Sequence, residues 1–177
     1  MFEMRLSKLR SGEGIAGGAA ILLFIMTFLD WFEKEVVFRG AGPLVLVEPF
    51  GPTTMNAWQA LDFVPLVLLF TSVTAVMAMA MRLGDVPPRV LFVTNGVVVC
   101  LGLLATGLVA TQLVDPPVLE QFSWPETTIE GAALFPVYTA LALSASVAFG
   151  GIVALREARH APFTAGGSRE RHSPQIP

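Results

Sequence analysis

Val90-Leu-Phe-Val-Thr-Asn-Gly-Val-Val-Val-Cys-Leu-Gly-Leu-Leu-Ala-Thr-Gly-Leu-Val-Ala-Thr-Gln-Leu-Val114 carries no charge in 25 residues. Crossing a hydrocarbon core of roughly 30 Å at 1.5 Å per residue takes about 20 apolar helical residues. A core helix of a soluble bundle keeps a polar face at helical period, and this stretch is apolar all round. It is therefore read as a membrane span.

Three further stretches meet the same test. Residues 132–155 hold no charge but Glu-free apolar and small residues. Residues 58–82 contain an uncharged core from Phe63 to Met81, and residues 15–32 are interrupted only by Asp30. The composition agrees: of 177 residues, 54% are hydrophobic and 14% charged, where a soluble domain has about 25% charged. The mean hydropathy is +0.66. These values exclude a disordered chain, a coiled coil and an ordinary water-soluble enzyme domain. A net charge of −3 lacks the basic footprint of a nucleic-acid binder.

The expected fold is an all-α membrane protein, a bundle of four transmembrane helices. Its segments are a cytoplasmic N-terminus 1–14, spans at 15–32, 58–82, 90–114 and 132–155, outer loops 33–57 and 115–131, a cytoplasmic loop 83–89 and a disordered tail 156–177. Orientation follows from Lys and Arg beside the spans. Of the eleven such residues, only Lys34 and Arg39 fall on one side. Both termini are thus expected in the cytoplasm of a cell whose plasma membrane the chain crosses. Trp31, Trp58 and Trp124 then gather at the outer interface, where amphipathic rings are favoured. The run after the first span, Asp30-Trp-Phe-Glu-Lys-Glu35, is no small-residue cleavage site, so the span is read as retained rather than as a signal peptide.

In the first outer loop, Glu35-Val-Val-Phe-Arg39 and Leu44-Val-Leu-Val-Glu48 flank Gly40-Ala-Gly-Pro43, the pattern of a β-hairpin. A lone hairpin is marginal in water, so it is expected to lie over the helix ends or on the second outer loop. Asn56 with Gln59, and Thr127 with Glu130, have the spacing of capping boxes for the second and fourth helices. The loops are acidic, with Asp30, Glu33, Glu35, Glu48, Asp115, Glu120, Glu126 and Glu130 against two cations. This is either a cation-attracting or docking face, or a solvated face from which Lys and Arg are excluded.

Asp30 and Asp62 are the candidate functional carboxylates, since ionisable residues at membrane depth mark sites by default. The alternative is structural: Asp30 pairs with Lys34 at i,i+4 on a helix and Asp62 holds loop amides. Asn95, inside the third span, is read as a hydrogen bond between helices or as a ligand group. Small residues at four-residue spacing, Gly14 with Gly18 and Ala142 with Ser146 and Gly150, allow close helix packing, within the bundle or against another protein. Cys100 is read as an inert buried hydrophobe. The usual nucleophile, zinc and phosphate-cradle motifs are missing, so neither enzyme activity, a cofactor nor a metal is expected. The expected partners are the bilayer and a membrane protein or further copies of the chain.

At Phe28-Leu-Asp-Trp-Phe32 and Asn56-Ala-Trp-Gln-Ala-Leu-Asp62 the chain resembles small four-span membrane proteins common in actinobacteria. Their first span often ends in Leu-Pro-Trp-Phe/Tyr, and the second opens after a Trp-Gln/Glu-Ala motif. Asp30 stands where that pattern tends to have proline. The resemblance implies the topology and no activity. Claudin-like proteins also have four spans and a large first outer loop, but the cysteine pair expected there is absent.

Overall fold

The computed structural model describes residues 11–38, 53–84, 86–122 and 127–160. Four helices and a small antiparallel sheet make up nearly all of them. The elements in chain order are α1 (Ser11–Met26), β1 (Asp30–Phe38), β2 (Thr54–Asn56), α2 (Ala57–Ala60), α3 (Val64–Leu83), α4 (Pro88–Val114), β3 (Val118–Phe122), β4 (Thr127–Ala133) and α5 (Phe135–His160). Three helices, α3, α4 and α5, are long and apolar enough to cross a membrane. Helix α1 is shorter, and its 16 residues reach about 24 Å.

Neighbouring helices run antiparallel. Gly12 and Ala16 at the start of α1 face Gly150 and Ala154 near the end of α5, while Gly17 faces Met79 near the end of α3. The Thr71 hydroxyl of α3 lies 3.4 Å from the Leu101 carbonyl of α4. Thr106 of α4 donates to the Ser144 hydroxyl of α5 at 3.2 Å. The start of α1, the Gly84 turn and the end of α5 therefore share one end of the molecule. The sheet closes the other end.

Helix α1 stops at Met26, six residues short of the expected span end. The chain tightens there into three-residue hydrogen bonds, with the amides of Thr27, Phe28 and Leu29 donating to Phe24, Ile25 and Met26. Such tightening is how a helix end uses carbonyls that lack a four-residue partner. The Trp31 indole N–H then donates to the Met26 carbonyl at 2.7 Å. Asp30, Trp31 and Phe32 thus belong to a strand. An i,i+4 pair of Asp30 with Lys34 on a helix is excluded. Apolar residues on both sides of Asp30 in Phe28–Phe32 satisfy helix and strand alike, which is why hydropathy does not mark the boundary.

The sheet order is β2-β1-β4-β3. Strand β1 pairs with β4 from Phe32↔Ala133 to Phe38↔Thr127, so the described part of the first outer loop lies against the second. Thr127–Ala133 is strand and not a capping box for α5. Phe32 packs over Gly131, where a Cβ would lie 3.0 Å from the ring. The turn and second arm of the expected hairpin, residues 40–48, lie outside the described residues, as do Trp124 and the chain beyond His160. Helix α5 itself continues past Leu155 through five residues assigned to the tail.

Two cores result. At the sheet end, fully buried Trp31 and Phe32 pack with Leu23, Leu68, Val109 and Val137. At the far end the core is Ala16, Ala19, Ala20, Ala75, Ala78, Val98 and Val147.

Candidate functional site

The segment between β2 and α3 carries Asp62, one of the three expected polar site residues. Asn56 accepts from the Gln59 amide at 3.1 Å, and the Gln59 side chain accepts from the Asn56 amide at 3.2 Å. This capping box closes a one-turn helix rather than the long one. Helix α3 starts afresh at Val64, with Pro65 in its first turn, where a missing N–H costs no intrahelical bond. Pro136 holds the matching place in α5.

Asp30 opens β1 opposite Asn56 and accepts from the Thr54 hydroxyl at 2.9 Å. Asp62 follows α2 in the turn before α3. Both aspartates are exposed. They flank Asn56–Leu61 from opposite ends without a hydrogen bond between them, and Asp62 makes no side-chain bond among the described residues. Trp58 donates to the Thr27 hydroxyl at 3.3 Å, and the Thr27 hydroxyl donates to the Phe24 carbonyl at 2.7 Å. The Trp58 ring leans on Phe28 at 6.1 Å. This tryptophan ties α2 to the end of α1, while Trp31 is wholly buried.

Asn95 is 3% exposed on α4, and its amide makes no hydrogen bond among the described residues; the bond between helices expected of it is not formed. Cys100 is exposed on the outward side of α4, correcting its expected burial. Gly150 packs against α1, whereas Ala142 is exposed and the Ser146 hydroxyl donates to its carbonyl. Gly14 and Gly18 point away from every other element.

One charged pair escaped the sequence reading. Glu13 is 5% exposed, and its carboxylate lies 3.4 Å from Arg82 Nε, joining α1 to the last turn of α3. A span begun at Ile15 leaves Glu13 in the flanking segment. The available signal was an acid one turn ahead of an apolar run, the usual place for negative charge at a helix start.

Chemically, the sheet end offers exposed carboxylates at Asp30, Glu33, Asp62 and Asp115, a capped turn and aromatic anchors. No group of three or more His, Cys, Asp or Glu among the described residues could hold a metal. The arrangement places hydrogen-bond acceptors beside the capped turn. No family model matches the chain, and no curated protein or solved structure matches it.

Proposed function

We propose that this is a multi-pass plasma-membrane protein with four spans and both termini in the cytoplasm, acting as a non-catalytic accessory, scaffold or envelope-associated component. The observation that carries the reading is the outer surface of the helices. Phe70, Val93, Leu103 and Phe149 are all more than half exposed, which water penalises at about 25 cal/mol per Å² and lipid does not. Helix α1 exposes Ile21, Leu22 and Ile25 in the same way and takes the same solvent, as a short fourth span. The excess of Lys and Arg at the far end favours a cytoplasmic position for that end, with the acidic sheet facing outward as the contact surface. Kinship with the actinobacterial four-span proteins is part of this proposal.

The competing function is a small transporter or ion-conducting oligomer using Asp30, Asp62 and Asn95. The interior supports it poorly, because the far-end core is alanine and valine and the two aspartates sit on the surface. Mild-detergent isolation from native membranes, with mass spectrometry and particle mass, tests the proposal. A stoichiometric protein partner supports it. Particles holding only this chain, with an ion flux lost in the Asp30→Asn/Asp62→Asn variant, overturn it.

A further inference from the structure

The end of the molecule opposite the sheet carries Arg82 on α3, Arg89 on α4, and Arg156 and Arg159 on α5. Arg82 is matched by Glu13. Arg89, Arg156 and Arg159 are all exposed, and no acid among the described residues meets any of them. Glu157 stands beside Arg156 in sequence, but one of its carboxylate oxygens is wholly buried, so that group is turned toward the protein. The fold thus leaves Arg89, Arg156 and Arg159 on its surface without a counter-charge of its own.

Their depth follows from how α4 meets α5. A Cβ on Gly151 would touch Val99, and one on Gly102 would touch Ala148. The helices are antiparallel, so eight residues on from Gly151 and eight back from Val99 bring Arg159 level with Leu91, in the first turn of α4. The Arg159 guanidinium lies over the Phe92 ring, 6.0 Å from its centre. Phe92 is 41% exposed and Val93 66%, and both belong to the surface that the membrane reading gives to lipid. Arg89 precedes them by three and four residues, so it stands over the same face, one turn nearer the end. One turn below Phe92, a Cβ on Gly96 would meet nothing within 4 Å, which leaves a notch in that face. From there to Val114 α4 is uncharged. Guanidiniums therefore rim a strip of bare hydrocarbon.

We propose that this rim binds an anionic phospholipid, its phosphate on Arg89, Arg156 and Arg159 and an acyl chain laid along α4 past Gly96. This rests on the membrane reading above. A guanidinium stacked on a ring keeps its in-plane N–H groups free, and their fork matches the oxygens of a phosphate. The ring under Arg159 also fixes that side chain in advance, so less freedom is lost when the phosphate arrives. Charge selects among lipids. A zwitterionic head brings a cation of its own to a rim that already holds three uncompensated ones, whereas an anionic head brings none. Basic residues at the cytoplasmic ends of spanning helices hold anionic heads for this reason. The apolar strip selects lipid over a soluble anion, because it continues from the rim into the region where only a hydrocarbon chain follows.

Native mass spectrometry of the protein released from nanodiscs, made of phosphatidylcholine with a minor share of phosphatidylglycerol, tests the site. The parent is expected to retain phosphatidylglycerol at about fivefold or more above its share of the bilayer. Arg89→Gln/Arg156→Gln/Arg159→Gln should bring retention back to that share with helix content unchanged. Phe92→Leu keeps apolar bulk but removes the ring under Arg159, and an intermediate loss is expected. Arg169→Gln/Arg171→Gln removes charge of the same kind beyond His160 and is expected to leave retention as it was. Enrichment that survives the triple variant, or that falls equally in the Arg169→Gln/Arg171→Gln variant, overturns the inference. Glycerol 3-phosphate carries the charge without the chains and is expected not to displace the lipid. Displacement would assign the rim to a soluble phosphate and overturn the lipid site. A chain that does not enter bilayers overturns the membrane reading and this site with it, whereas a reconstituted parent without enrichment overturns the site alone.

Discussion

The two ends of this molecule are held together by different means. At the sheet end, large side chains fill the space: Trp31, Phe32, Leu23 and Leu68 are fully buried and bridge helices to strands. At the far end, helices meet through alanine and glycine, with backbone close to backbone. The contrast matches the membrane reading proposed above: the sheet lies beyond the helix ends, and the alanine and glycine contacts lie between the helices. Next to water, expelling it from large apolar groups drives packing. Inside lipid that drive is absent, and dispersion between closely approaching backbones must serve instead. The sheet end should thus be sensitive to loss of volume, and the far end to its gain.

The sharpest way to break the comparison is Trp31→Ala. It empties a core site, frees the Met26 carbonyl from its indole partner, and is expected to cost about 3–5 kcal/mol in reversible unfolding in bicelles. Hydrogen exchange should rise first in β1 and β4. Gly150→Val probes the opposite vulnerability. Its added atoms strike the backbone of α1, so a loss of about 3 kcal/mol is expected, with α1 released while the sheet keeps its protection. A far end that accepted valine without loss would remove the distinction.

Arg82→Gln is expected to cost about 2 kcal/mol, because it leaves the buried Glu13 carboxylate without this partner. Glu13→Gln/Arg82→Gln should recover part of that loss, read in the same unfolding assay. Asn56→Ala removes one half of the capping box and should cost about 1 kcal/mol. Its effect belongs to the sheet end alone, visible as faster exchange at Gln59.

Much of this contrast was legible in the amino-acid sequence, and what was not has identifiable causes. Uncharged runs of 19 residues and more announce α3, α4 and α5, and Val36-Val-Phe38 announces strand in the first loop. The capping box at Asn56 is visible in its four residues; that it closes a single turn depends on Leu61 folding inward, which is a tertiary matter. Thr127–Ala133 has the local spacing of a helix start, and pairing with β1 overrides it. Hydropathy weighs Glu13 only as a charge, so its burial against Arg82, on a helix some 70 residues away, leaves no local trace.

The pairing of Phe32 with Ala133 also bears on how the protein is made. Synthesis proceeds at about 5–20 residues per second, so β1 emerges roughly 5–20 s before its partner strand exists. During that interval an aromatic strand waits with its edge open at the membrane surface. Because β4 leads directly into α5, the sheet can close only when the last helix is about to insert. A chain truncated before Thr127 would therefore leave β1 without its partner along Phe32–Phe38.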